Sequence, residues 1–334
     1  MTICCQQLTV ILILTNILEG DIVMRVGILG SGFGSYHAAI YSKLLHSDSL
    51  IIFGRNEEKL KRLEQDLHVN VTANMQDIIT SKELDLIDIC LPSSLHREIA
   101  IEAMKNGKNV FCETPLALSL EDAIAIKQGA KDYGKRVFVD LFIRYELPYE
   151  YLYNIIKENT LGKLRALHIR RKTPHLWGDL GLSNITTNFM IHEFDFVTWL
   201  LGKPNKIAAT GIEGKEGESH VITILNYNDT IVEVHASSMM PDYHPFTVAY
   251  EAIFEKGTVE FVENGYADRE EKSLVLYTGQ EKKVIDLADR NCYEESIKHV
   301  LKCCQDNIPS RLSIDDAIMS LEIALKVKEL LFAK

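Results

Sequence analysis

The sequence predicts an α/β protein in two parts: a parallel sheet covered by helices, then a second α/β unit built on an open, mostly antiparallel sheet. Three observations lead there. The chain has 334 residues, 46% hydrophobic and 25% charged, a length that ordinarily divides between two cores. From Met24 to about Asp140, apolar runs of strand length alternate with amphipathic helical stretches. Beyond Leu147-Pro148 that alternation gives way to one helix and then to runs of alternating polarity, as in strands with one covered face.

In order, strands are expected at 24–29, 49–53, 84–91, 109–112 and 136–139, with helices at 57–67, 95–106 and 120–133. Asn106-Gly107 and Tyr133-Gly134 supply helix stops. A helix at 149–158 opens the second part, and strands follow at 164–171, 206–211, 219–226, 230–237, 247–254 and 273–277. Asn226-Tyr227-Asn228-Asp229 is the clearest hairpin turn. Helices at 187–201, stopped by Gly202-Lys203-Pro204, and at 314–332, with Ser313 as N-cap before Asp315 and Asp316, complete the pattern. The domains are placed at 24–141 and 142–334.

Residues 1–23 stand apart. The apolar run 8–18 is too short to span a bilayer, and the segment holds no Lys or Arg, unlike a secretory signal. Glu19-Gly20-Asp21 back-translates to a purine-rich ribosome-binding site shortly before Met24, so the segment reads as a mis-assigned start, or else as a disordered extension. Without Glu19 and Asp21 the net charge of -11 becomes -11 + 2 = -9.

An acidic chain with pI near 5.5 has no broad phosphate-binding surface, which excludes nucleic acid and anionic membrane and leaves a small molecule as partner. The seven cysteines form no CxxC and no metal-ligand spacing with histidine, so neither a disulfide framework nor a metal site is expected. A reducing cytoplasm fits best.

Gly30-Ser31-Gly32-Phe33-Gly34-Ser35 follows the first expected strand and opens a helix, the context of a dinucleotide fingerprint and hence of a Rossmann domain. Gly30 permits the tight turn and Gly32 the approach of backbone to a pyrophosphate at the helix N-terminus. The third glycine position is Ser35, still small enough for close helix-to-strand packing. After the second strand the sequence reads Phe53-Gly54-Arg55-Asn56, without the carboxylate that hydrogen-bonds a ribose in NAD-preferring proteins. Arg55 offers a planar cation for a 2′-phosphate, so NADP is favoured and NAD remains open.

With that fingerprint, the runs Asp88-Ile89-Cys90-Leu91-Pro92-Ser93-Ser94-Leu95-His96, Gly107 to Pro115 and Asn188-Phe189-Met190-Ile191-His192-Glu193-Phe194-Asp195 resemble the glucose-fructose oxidoreductase, inositol dehydrogenase and rhizopine catabolism family. The resemblance covers essentially all of 24–334. It implies an N-terminal Rossmann domain, a C-terminal α/β domain whose open sheet serves as a homodimer or homotetramer interface, and a substrate held between them. It also implies hydride transfer between a nicotinamide and a hydroxyl or carbonyl of a sugar, cyclitol or polyol. Phe33 and Gly34 fall in the nucleotide loop; Leu91, Pro92, Ser94 and His96 are implied to lie by the cofactor, and Glu113 and Pro115 on its nicotinamide side. Arg144 and Tyr145 occupy positions where relatives place substrate-facing groups.

The sequence departs from the family pattern twice. Thr114 stands where a lysine is usual and Asn188 where an aspartate is common, so a cation and a proton acceptor are missing. His192 survives, and imidazole suits proton abstraction near neutral pH. On one continuous helix, Asn188 four before it and Asp195 three after would share its face, an amide for the substrate and a carboxylate to orient the ring. Arg170, Arg171 and Lys172, with His175 and Trp177, form either a polar lining or an exposed strand end. The leading function is a dehydrogenase or reductase with His192 as acid and base, Asn188 and Thr114 beside it and Asp195 at the substrate. The alternative is a non-catalytic, nucleotide-dependent sensor on the same scaffold.

Overall fold

Val26–Leu29 (β1) and Leu86–Ile89 (β4) are buried along their whole length, as central strands of a sheet covered on both faces must be. Around them pair Leu50–Phe53 (β2), Asn70–Thr72 (β3), Asn109–Cys112 (β5) and Val137–Val139 (β6), all parallel, in the order β3-β2-β1-β4-β5-β6. The order reverses between β1 and β4, so the crevice beyond their carboxyl ends is where a doubly wound sheet takes its ligand. The computed structural model describes residues 24–175, 178–215 and 217–333; the expectations for 1–23 and for Trp177 lie outside them.

Helices Gly34–Leu44 (α1), Glu57–Leu67 (α2), Gln76–Ile79 (α3), His96–Lys105 (α4) and Leu120–Tyr133 (α5) make the crossovers. Asn56 caps α2 and Ser119 caps α5 by accepting from Lys59 N and Asp122 N, whereas α1 opens with no side-chain cap. Ser35 and Tyr36 N–H turn back to Gly32 O and Phe33 O, so among the described residues it is the amides of Gly32, Phe33 and Gly34 that stand without an acceptor.

The second sheet has eight strands: Leu164–Pro174 (β7), Lys206–Glu213 (β8), Ser219–Asn226 (β9), Ile231–Met240 (β10), Phe246–Phe254 (β11), Gly257–Gly265 (β12), Glu270–Thr278 (β13) and Lys282–Ile285 (β14). They run in the order β14-β13-β12-β11-β7-β10-β9-β8, with β7 and β10 parallel and every other neighbouring pair antiparallel. Along β7 the alternation places Leu167, Ile169 and Arg171 inward and Arg170 in solvent. The inward face is covered by Leu147–Glu158 (α6), Ile185–Asn188 (α7) and Ile191–Leu201 (α8).

Two features differ from the sequence expectation. The single helix expected over 187–201 is two helices. The β-branched run Ile185-Thr186-Thr187 propagates helix poorly, and Met190 N–H closes α7 on Ile185 O while Phe189 turns out of the helical basin at φ -130°. The chain also returns to the first domain. Cys292–Asp306 (α9) lays Tyr293 on Phe33, and Ile314–Phe332 (α10) begins beside β6, where Ser313 bridges Phe138 and Val139 N–H donates to Leu312 O at 3.2 Å.

Arg144, in the turn Phe142–Tyr145, is fully buried at this junction. Its Nε donates to Asp195 Oδ2 at 3.0 Å and Nη2 to Oδ1 at 2.6 Å, while Nη1 reaches Arg311 O at 2.6 Å and Asp316 Oδ2 at 3.1 Å. One guanidinium thus ties the turn after β6 to α8 and α10. Removing one partner of such a pair leaves a buried charge unanswered. Arg144→Leu is expected to lower stability by about 3–5 kcal/mol in urea unfolding. Arg144→Leu combined with Asp195→Leu should recover a large part of that loss.

Candidate active site

The glycine loop bends as its sequence requires. Gly30 has φ +114°, and a Cβ there would meet Cys90 O at 2.5 Å, so only glycine lets the turn pass the end of β4. A Cβ on Gly32 would meet nothing, which is open space on the outer side of the loop. Close packing of helix on strand falls to Gly34, where a Cβ would lie 3.0 Å from Ile28 and 3.2 Å from Cys90. Ser35, assigned that role from the sequence, instead donates its hydroxyl to Ser31 O at 2.6 Å. Arg55 is exposed at the end of β2, and Leu91, Pro92 and Ser94 follow β4 on the same edge.

His96 is turned away from that edge. It is fully buried, with Nε2 2.8 Å from Leu91 O and Nδ1 3.1 Å from Pro115 O, and it pins the loop after β4 to the loop after β5. A direct cofactor contact is therefore replaced by a structural one. Burial lowers its pKa. Pro115 is buried in the same seam, preceded by a cis peptide bond.

Beyond the loop lies a cleft of about 330 Å³, within the range usual for small-molecule sites. Phe33, Glu113, Thr114, Arg171, His192 and Tyr293 are among its walls. His192 and Thr114 are thus brought together. Asn188 is not: the break between α7 and α8 cancels the four-residue spacing and leaves it exposed. Asp195 does not orient His192, because both its oxygens are taken by Arg144. Arg144 and Tyr145 are likewise buried outside the cleft lining, so these three substrate assignments give way to structural roles.

Thr114 donates its hydroxyl to Asp140 O at 2.8 Å and carries no free proton acceptor into the cleft. Arg171 was ambiguous from sequence, and the inward side of β7 decides it: the guanidinium is buried, donates to Glu193 Oε1 at 2.6 Å and lines the cleft. Burial and the neighbouring Arg171 push the His192 pKa down to about 3, so the ring is neutral at pH 7 and a weak base. The expected pKa near 7 does not hold here.

Sequence reasoning missed the group behind this wall. His37, on α1, is wholly buried, with Nδ1 2.8 Å from Asp88 Oδ2 and Nε2 3.2 Å from Glu113 Oε1 and 3.7 Å from Asp140 Oδ2. The available signal was its place three residues after Gly34, on the face of α1 that meets β4. Two trios, His37-Asp88-Cys90 and His37-Glu113-Asp140, have ligand-type atoms within 4.8 Å of one another. They share a single imidazole whose Nδ1 is already engaged by Asp88, so the set reads as a proton-sharing cluster rather than a cation shell.

The His192 shift has a measurable consequence. Between pH 6.5 and 3 the unfolded chain binds a proton at His192 that the native chain refuses, so stability falls as pH falls through that window. His192→Asn is expected to make the acid limb of stability against pH shallower by up to about 1.4 kcal/mol per pH unit. Urea titrations between pH 4 and 7 check it; an unchanged slope counts against the shift.

The fold has counterparts among known proteins. Residues 24–141 match the oxidoreductase family, NAD-binding Rossmann fold, model of the GFO/IDH/MocA group, and residues 149–260 match its C-terminal domain model. Myo-inositol 2-dehydrogenase of Thermotoga maritima is 23% identical over 331 residues, covering 93% of this chain and 97% of that one. The 2,7-anhydro-N-acetylneuraminate hydratase of Escherichia coli strain K12 is 27% identical over 197 residues, 57% of this chain and 53% of the relative. The match thus spans about half the length of several curated relatives, inositol 2-dehydrogenase of Pseudomonas fluorescens included. Among solved structures, UDP-N-acetylglucosamine 3-dehydrogenase from Acidithiobacillus ferrooxidans superposes with a TM-score of 0.78 at 21% identity, over 92% of this chain and 97% of that one. An oxidoreductase from Agrobacterium radiobacter in complex with NAD+, L-tartaric acid and magnesium gives 0.78 at 16% identity, over 92% and 96%. The chain belongs to the GFO/IDH/MocA oxidoreductase family, with that family's NAD-binding Rossmann domain and C-terminal domain in sequence.

Proposed function

We propose that this protein is an NAD(P)-dependent dehydrogenase or reductase acting on a hydroxyl or carbonyl of a sugar-, cyclitol- or polyol-like small molecule. One observation carries the reading: the amides of Gly32, Phe33 and Gly34, without an acceptor among the described residues, stand on the same edge as a cleft walled by Phe33, Glu113, Thr114 and His192. The residues fit a dinucleotide. Gly30 leaves the turn its depth, Gly32 bars no approaching phosphate, and the helix dipole favours negative charge there. A bound nicotinamide would supply hydride acceptance and donation.

The chain's own groups do the rest. Gly30, Gly32, Phe33, Gly34, Leu91, Pro92 and Ser94 hold the nucleotide, with Glu113 beside the nicotinamide and Arg55 paired with a 2′-phosphate, which favours NADP over NAD. His192, neutral at physiological pH, accepts a hydrogen bond from a substrate hydroxyl next to the reacting carbon and so orients the substrate. Arg171 and Tyr293 shape the cleft and exclude water. The open eight-stranded sheet makes a homodimer or homotetramer interface, and the setting is the cytoplasm. Among the described residues no helix is long and apolar enough to cross a membrane.

A second reading, a nucleotide-dependent sensor without turnover, is favoured by Thr114 being tied to Asp140 O and by the weak basicity of His192. Calorimetry with NADP+ and NAD+ should record binding, tighter for NADP+. Arg55→Ala should reduce the NADP+ affinity about tenfold, through the loss of one exposed charge-assisted contact, and leave NAD+ nearly unchanged. Absorbance at the reduced-nicotinamide band across myo-inositol, other polyols and their ketones should change for an enzyme and stay flat for a sensor. No heat with either nucleotide rejects both readings.

A further inference from the structure

We propose that Glu113, held by His37 with Asp88 and Asp140 behind it, is the proton acceptor and donor of the cleft, and that His37 is its positioning residue. The inference rests on the proposed redox function and deepens it. Oxidising an alcohol releases a hydride and a proton, and the proton needs a home beside the reacting oxygen. Thr114 has no basic atom free, Asn188 lies outside the cleft lining, and the His192 ring refuses a proton above about pH 3.

Glu113 meets the requirement. It lines the cleft with 18% of its side chain exposed, while its Oε1 is sealed and turned inward to His37 Nε2 at 3.2 Å. Three atoms, Glu113 Oε1, His37 Nε2 and Asp140 Oδ2, are buried with no conventionally angled hydrogen bond of their own, and they face each other across 3.2 and 3.7 Å. Isolated buried polar atoms are costly, and three converging ones are reconciled when protons are shared among them. The outer shell fixes the geometry: Asp88 engages His37 Nδ1 at 2.8 Å, Ser296 Oγ donates to Asp140 Oδ1 at 2.9 Å, and Thr114 N–H donates to Glu113 Oε2 at 3.3 Å.

The groups facing His37 come from every element around it. They are Asp88 in β4 and Cys90 just after it, Glu113 after β5, Asp140 after β6 and Tyr293 on α9, with Tyr41, one turn on in α1, against Asp88. Asp88 and Cys90 outweigh burial and raise the His37 pKa, whereas burial and then Glu113 raise that of Asp140. The His37 imidazole and the Asp140 carboxyl, both holding a proton more tightly than usual, therefore stand directly behind Glu113. In the oxidative direction the substrate O–H bond breaks and its proton passes to Glu113 Oε2. A bound oxidised nicotinamide would supply the acceptor for the hydride that leaves with the C–H electron pair, so that the O–H and C–H bonds lost are balanced by the carbonyl formed. The added proton is then shared by Glu113, His37 and Asp140 until solvent removes it; reduction runs the same steps backward.

The test uses the intact protein and does not depend on finding the substrate. Calorimetry of NADP+ and NADPH binding in phosphate and in Tris, from pH 6 to 9, counts the protons exchanged. A cationic nicotinamide beside Glu113 should drive out part of the shared proton, so the wild type is expected to release protons with NADP+ and not with NADPH. Glu113→Gln and His37→Gln should each abolish that difference while both nucleotides still bind. With myo-inositol as probe, Glu113→Gln should lower kcat by about 10²-fold or more at unchanged KM and flatten its pH profile, with Glu113→Asp partly restoring both. Equal proton counts for the two nucleotides in the wild type, an undiminished difference in Glu113→Gln, or a stoichiometric metal in the purified protein would overturn the proposal. Absence of binding by either nucleotide would instead remove the functional reading on which it rests.

Discussion

A cluster of charge sealed at the carboxyl edge of the parallel sheet constrains this molecule more than any other feature. Asp88 lies near the end of β4, Glu113 follows β5 and Asp140 follows β6, and the imidazole of His37 is set among them. Two buried carboxyl groups, Asp88 and Asp140, with Glu113 beside them are costly without a counter-charge or protonation. The imidazole is delivered by the helix that the glycine loop starts, so the turn, α1 and the ends of β4, β5 and β6 must all be in register for the cluster to be neutralised. The same residues bound the crevice where a doubly wound sheet takes its ligand.

From that edge outward, each part of the second domain has a defined duty. α9 closes the cleft with Tyr293 and satisfies Asp140 through Ser296. α8 brings His192 to the opposite wall, and β7 supplies Arg171 from its covered side. The cleft is therefore assembled from groups distant in sequence, held by two buried ion pairs, Arg144 with Asp195 and Arg171 with Glu193.

Much of the fold was legible because its signals are local. Strand-length apolar runs, Gly134 and Asn106-Gly107 at helix ends, and Ser313 before two aspartates each act within a few residues. The glycine loop belongs to the same class. What escaped was decided at long range. Gly257–Gly265 carries several polar residues and becomes a strand only because β11 and β13 flank it. His37 reads as an ordinary helical residue until Asp88 and Glu113, 51 and 76 positions away, close around it. Conversely, Arg144, Asp195 and His96 carry polar side chains that invite a functional reading, yet burial against fixed partners occupies them fully. Asn188 failed for a third reason: helical spacing was extrapolated across a backbone break at Phe189.

The return of the last helix bears on how the molecule moves. Because α10 starts on β6 and runs on to pack against α8 and β8, and Arg144 anchors its first turn, the two halves are strapped together. A strap of that kind resists the scissor-like opening that many two-domain proteins use to admit cargo. Selection among candidate guests then falls to a cavity of settled dimensions, judged by fit rather than by engulfment.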